Sequence, residues 1–180
     1  MKRLGKIDWL SAGFDILEKD GFTKVTIENL CGALGVTKGS FYHHFEHIGA
    51  YTVALMDHWL EESTLKIIQN VERSQLDKNA VMLRIVATLR HRLELHIRAW
   101  SFSNPYVREV VANADKLRLD YLTELILLTG RDHLTSREQA MLNIALMIGV
   151  QNMCPDMPTD EWDRLQHTYS ISKRTNGNEL

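Results

Sequence analysis

Proline is scarce in this chain: three in 180 residues, Pro105, Pro155 and Pro158, all after residue 104. The first hundred residues therefore lack the strongest helix breaker. Period-two alternation of Val, Ile, Thr and aromatics is not sustained anywhere, which removes the main sign of half-buried strands. Cysteine is nearly absent too, with only Cys31 and Cys154. The pair offers no CxxC or Cys/His metal spacing and supports no disulfide framework. No apolar run approaches the ~20 residues a membrane span needs, and the start, Met1-Lys2-Arg3-Leu4-Gly5, carries no hydrophobic signal segment. A formal net charge of −2 excludes binding by bulk positive charge, so any nucleic-acid contact must come from a local patch. Phosphate loop, nucleophile motif and paired acids on one helical face are all missing, which leaves little case for an enzyme or a cofactor. The expectation is an all-α, reducing, cytoplasmic protein without membrane, metal or cofactor. Its 44% hydrophobic content is enough for a true core.

What is present begins with Thr26 to Phe45, TIENLCGALGVTKGSFYHHF. Thr26 is a good N-cap, and Glu28 lies in the first turn, where the helix dipole favours an acid. Ile27, Leu30, Cys31 and Leu34 recur at helical spacing, and Gly35 supplies a residue able to close the helix in a left-handed conformation. Val36 plugs the turn. Thr37 is placed to cap a second helix that buries Phe41 and Phe45 and leaves Lys38, Ser40, Tyr42, His43 and His44 on its other faces. Helix, glycine turn and helix at this spacing describe a helix-turn-helix. The second helix opens with a cation and no acid, and a phosphate backbone would supply the missing negative charge. Because the N-terminal turn leads into the groove, Lys38 and Ser40 are expected nearest the base edges. Gly39 keeps the backbone close to them. His43 and His47 are i, i+4 apart but have no nearby Cys or Asp, so a metal is not expected there.

At these residues the chain resembles the TetR (tetracycline-repressor-like) family of transcriptional regulators, over roughly Ile7 to Leu60. Its specific core is Thr-Ile-x-x-Leu followed by Leu-Gly-Val-Thr-Lys-Gly-Ser-Phe-Tyr-His-His-Phe. The resemblance implies an all-helical homodimeric repressor, with an N-terminal DNA-binding domain and a larger domain for ligand and dimerisation. It implies phosphate contacts from Tyr42 and His44, with His43 reaching either phosphate or base. Thr26 and Thr37 would donate hydroxyl hydrogen bonds to backbone oxygens. The family's usual phosphate-binding lysine, three residues after the Phe45 position, is replaced here by Ile48.

The domains expected are residues 1–48 for DNA binding, 49–172 for effector and dimerisation, and 173–180 as a flexible tail. A short basic arm with Lys2, Arg3 and Lys6 precedes a first helix from Ile7 to Lys19, with Ile7, Leu10, Phe14 and Leu17 inward. A long fourth helix, Gly49 to Val71, is apolar on several sides. A fifth, Ala80 to Phe102, buries Met82, Val86, Leu89, Leu93, His96 and Trp100, with Arg90, Glu94 and Arg98 as a surface ion ladder. Asn104-Pro105 starts a sixth helix ending near Asn113, and a seventh runs from Asp115 to Thr129 with Leu117, Tyr121, Leu125 and Leu128 inward. Thr135-Ser136-Arg137-Glu138 reads as a capping box for the eighth. From Ala140 to Val150 only Asn143 is polar, so this helix must be covered on all sides, by its own core and by a partner subunit. A ninth carries Trp162, Leu165 and Tyr169, and the family's dimer interface is built from its last two helices. His96, Trp100, Tyr106 and Tyr121 are candidate walls for an unknown small-molecule effector.

The leading function is a homodimeric, ligand-responsive regulator, a repressor on a palindromic operator in double-stranded DNA. A helical dimerisation protein with a weakened DNA reader is the alternative, with a small helical enzyme behind it.

Overall fold

In the computed structural model the described residues are 4–78, 81–82, 90–165 and 168, and only helices, turns and connecting segments occur among them. The first helix, α1 (Lys6–Asp20), buries Trp9, Leu10, Phe14 and Leu17. Ile7 is exposed, contrary to expectation, and Trp9 takes the inward position at that end. The longer aromatic fills the space beneath the helix pair, which a stripe begun at Ile7 would miss. A 3-10 turn, Phe22–Lys24, leads into α2 (Ile27–Leu34) and α3 (Lys38–His44). Next come α4 (Ile48–Leu60), a π-type turn (Glu61–Leu65) and α5 (Lys66–Arg73), all joined through helical dihedrals. The long fourth helix is therefore present, but with a widened turn in its middle. His47 starts it, its Nδ1 accepting from the Ala50 N–H at 3.0 Å.

The rest of the chain forms α6 (His91–Ser101), α7 (Pro105–Leu127), α8 (His133–Met153) and a last helical stretch, α9, over 159–165. A continuous helix from Ala80 to Phe102 is not observed: Arg90 sits at φ −76°, ψ 81°, outside the helical region, and α6 starts after it. Val86 and Leu89 of the expected stripe lie outside the described residues, as do Lys2, Arg3, Tyr169 and the tail. The expected break after Asn113 is also missing. Asn104 caps α7 as predicted, accepting from Val107 N–H at 3.2 Å, and the helix then runs straight through. Asn113 is exposed, where an asparagine costs a helix little, while Ala114 is fully buried and holds the helix against the core. Leu128 is exposed rather than inward. Asp132, not Thr135, caps α8: its side chain accepts from the Thr135 N–H and from the Thr135 hydroxyl, at 3.0 and 2.6 Å. An earlier cap of equal strength pre-empts the box.

One buried cluster runs from Trp9, Leu10 and Phe14 through Leu30, Phe41 and Phe45 to Tyr51, Leu55, Met56 and Trp59, and on to Leu93, Ile97, Trp100, Val107 and Val111. Packing is thus continuous across residue 48, the expected domain boundary. At the joint Phe22 stacks on Trp100 with ring centroids 6.0 Å apart and planes 7° from parallel. Arg90 ties α1 to the start of α6, bonding Asp15 at 2.9 Å and also Glu18. The ion ladder predicted along α6 is not formed. Glu94 is buried, accepts from Trp59 Nε1 at 2.9 Å and pairs with Arg118 at 3.2 Å, while Arg98 pairs with Asp115 at 2.6 Å. Packing turns Arg90 toward α1 and turns Glu94 and Arg98 toward α7, so the charges pair with other helices and not with one another.

Candidate nucleic-acid interface

The helix pair rests on Trp9. Its ring meets Phe41 edge-on at 5.5 Å and Phe45 at 6.5 Å, so α1 locks the inward side of α3. From the other side Tyr51 Oη donates to the Trp9 carbonyl at 2.9 Å, and burial pushes the Tyr51 phenol well above its ordinary value. That approach requires Gly13: a Cβ there would stand 1.7 Å from Tyr51 Oη. Thr26 caps α2, its hydroxyl oxygen accepting from the Asn29 N–H at 3.2 Å. Gly35 turns the chain at φ 65°, a left-handed conformation that favours glycine. Val36 packs partly against the core as the plug of the turn.

With Phe41 and Phe45 buried, α3 presents Lys38, Gly39, Tyr42 and His43 to solvent, and Ser40 is half-exposed. Its first turn holds no acid of its own. Thr37 occupies the N-cap position but makes no side-chain cap bond, which leaves its hydroxyl available to an outside acceptor. His44 is half-buried, its ring 6.1 Å from that of Trp9, and so is more committed to the fold than Tyr42 or His43. Thr26, Thr37, Lys38, Gly39, Tyr42 and His43 thus share one open surface formed by the starts of α2 and α3 and the outer side of α3. Lys6 stands 5.9 Å over the Phe45 ring, and Ile48 packs partly on the core.

Sequence reasoning missed Glu28 as a member of this surface. Its carboxylate lies 3.1 Å from Lys38 Nζ, and both side chains are largely exposed. A separation of ten positions gives no local signal of the pairing, since the turn geometry brings the two helix starts together.

The four candidate effector residues stand apart from one another in their bonding. His96 is half-buried, its ring against Gly21, and Trp100 stacks on Phe22. Tyr106 Oη donates to Asp57 on α4, and Tyr121 Oη donates to Glu72 on α5, both at 2.7 Å. Burial, helped by the Asp57 carboxylate, pushes the Tyr106 phenol up to about 12. No group of three or more metal-ligating side chains occurs among the described residues, and no described helix is long and apolar enough to cross a membrane.

A capped helix, a left-handed glycine turn and a second helix offering a cation with small and hydrogen-bonding side chains define a helix-turn-helix DNA-binding regulator. Residues 10–47 match the family of bacterial regulatory proteins called the tetR family. Solved structures with the same fold include a TetR/AcrR family transcriptional regulator at 18% identity and TM-score 0.78, covering 92% of this chain and 96% of that one. A transcriptional regulator from Rhodococcus sp. Rha1 aligns at 16% identity and TM-score 0.73, over 89% and 91% of the two chains. A regulator from Saccharomonospora viridis, solved in complex with choline, aligns at 14% identity and TM-score 0.73, over 91% and 94%. Sequence comparison with curated proteins gives no match. The N-terminal region is thus similar to the tetR family of bacterial regulatory proteins, and the fold shared with these solved structures extends over most of the chain.

Proposed function

We propose that this protein is a homodimeric, ligand-responsive transcriptional repressor that reads a palindromic operator with α3. The observation carrying the reading is the division of α3: Phe41 and Phe45 are locked under Trp9, while Lys38, Gly39, Tyr42 and His43 stay open beside the exposed Thr26 and Thr37. Lys38 and Ser40 reach base edges, and Tyr42, His43, His44 and the two threonines position the phosphates. Two copies joined through α8 and α9 place two such surfaces on one face of the duplex, which is why the operator is taken to be palindromic. Support for the dimer comes from apolar side chains left exposed along α8, among them Leu134, Met141, Leu142 and Leu146.

The helical second domain is the place for a small organic effector; the Saccharomonospora viridis regulator of the same fold was solved in complex with choline. Tyr106 and Tyr121 tie α7 to α4 and α5. A ligand that displaces either hydroxyl changes how α4 is held, and α4 packs directly under α1 and α3. His96 and Trp100 meet the N-terminal helices separately, against Gly21 and Phe22.

The reading is tested by selecting bound duplexes from a randomised pool and then measuring affinity for the selected sequence. Enrichment of an inverted repeat is the expected outcome. Lys38→Ala should weaken binding to it by about 1–3 kcal/mol while leaving random-sequence binding far less affected. A wild-type protein that enriches no sequence would overturn the proposal.

A further inference from the structure

We infer that Glu28 and Lys38 work as one base-reading unit, selective for a G·C pair in each half-site. The inference rests on the DNA-binding reading above and adds to it a residue that neither the helix-turn-helix pattern nor the fold assigns.

The pair is not explained by stability. Both partners are mostly exposed, at 60% and 80% of the side chain, and an ion pair in that setting contributes little to folding. Glu28 is not needed as a cap either, because Thr26 already holds the Asn29 N–H. An acid on a surface that must approach phosphates is unfavourable unless it meets a donor there. Asn29, its neighbour, is spoken for: its Nδ2 donates to the Lys24 carbonyl at 2.8 Å. The open charged groups at the two helix starts are therefore an ammonium and a carboxylate, Nζ to Oε1 3.1 Å.

That spacing has a counterpart in the major groove. The edge of a G·C pair presents N7 and O6 as acceptors and the cytosine N4 amine as a donor. O6 and N4 are joined by a Watson–Crick hydrogen bond, so they lie roughly 3 Å apart. A donor and an acceptor held at the same separation can meet both at once. Lys38 spans N7 and O6 of guanine, and Glu28 accepts from N4 of its cytosine. An A·T pair presents acceptor, donor, acceptor and then a methyl group. Lysine on adenine N7 would set the carboxylate near N6 but also against thymine O4, acceptor against acceptor. The unit is also electrically neutral, so it discriminates between bases without adding to non-specific attraction for phosphate.

The test is duplex selection from a randomised pool with the full chain, comparing wild type, Glu28→Ala, Glu28→Gln and Lys38→Ala at two salt concentrations. Circular dichroism confirms that each variant is folded, which the exposure of both side chains leads us to expect. Wild type should enrich one G·C position per half-site that Glu28→Ala and Lys38→Ala both relax, each by roughly tenfold in discrimination. The other positions should stay as they were. Glu28→Ala and Glu28→Gln should bind random duplex more tightly and with a steeper salt dependence, because Lys38 is then free to meet phosphate. The inference is overturned if Glu28→Ala keeps the wild-type preference at every position, or if it relaxes a position that Lys38→Ala leaves intact. A wild type that selects nothing would overturn the DNA-binding reading itself, and this inference with it.

Discussion

Gly13 shows how much one atom decides in the N-terminal domain. Adding a Cβ would drive it into Tyr51 Oη, whose hydroxyl is held in place by the Trp9 carbonyl. Overpacking of this kind costs about 1–3 kcal/mol or more. Gly13→Ala should lower the unfolding midpoint in urea and weaken DNA binding together, because Trp9 is also the platform for α3. An unchanged midpoint would mean that α1 and α4 can separate freely. His91 carries a second residue-scale prediction. Its Nδ1 lies 3.0 Å from Gln151 Nε2, and its ring packs at 4.9 Å on Trp162. Burial pushes its imidazole below the ordinary value, with Glu94 opposing the shift. The unfolded chain then takes up a proton more readily than the folded one. Stability from this group is complete above the unfolded value of about 6.5 and is lost as pH falls below it. Melting temperature should drop between pH 7.5 and 5, and His91→Phe should flatten that dependence. Equal slopes for the two proteins would exclude His91 as the source.

The π-type turn is the element where sequence reading and structure part most clearly. Residues Glu61–Leu65 fit a continuous helix by composition, and nothing local announces the widened turn. Its cause is tertiary. Arg118 reaches across from α7 to the Ser63 carbonyl and hydroxyl and to the Thr64 hydroxyl, lies over the Trp59 ring at 5.3 Å, and pairs with buried Glu94. A widened turn can present Ser63 and Thr64 to that guanidinium. Removing one partner of a buried ion pair leaves the other uncompensated, at a cost of about 3–5 kcal/mol. Arg118→Ala should therefore destabilise strongly in a chemical denaturation curve. Arg92→Ala, which breaks an exposed pair with Asp156, should have little effect. Comparable losses for the two would remove the special standing of this knot. By contrast α2, its glycine turn and α3 were readable in advance because their signals are local: a cap, a left-handed glycine and two aromatics one turn apart.

For the whole molecule the decisive surface is α8. The expectation that this helix is covered on all sides is met on one side only within the chain: Ala140 is fully buried, whereas Met141 and Leu142 are 53% and 62% exposed. Ala140 thus faces the protein's own core rather than a partner, and Ala145 belongs to the exposed side. Space is open around Gly149, where a Cβ would meet nothing within 4 Å. Ala145→Arg should shift the protein from dimer to monomer in sedimentation at micromolar concentration, through steric overlap and a charge buried without a partner. Operator affinity should fall with it, since a monomer engages one half-site. A variant that remains dimeric would place the interface elsewhere.

The sequence by itself determined the all-helical class, the helix-turn-helix and its buried Phe41 and Phe45, because each depends on contacts within about four positions along a helix, whereas the half-burial of His44 came from Trp9 on another helix. It also located the apolar face of α8, through composition alone. Tertiary structure decided what lies between distant segments: Trp9 under α3, Gly13 against Tyr51, Glu28 beside Lys38, and Arg118 in the turn of the fourth helix. It also decided where helices stop, breaking one at Arg90 and carrying another past Asn113. Those outcomes rest on burial and on charge partners supplied by other helices, and such partners leave no period in the sequence.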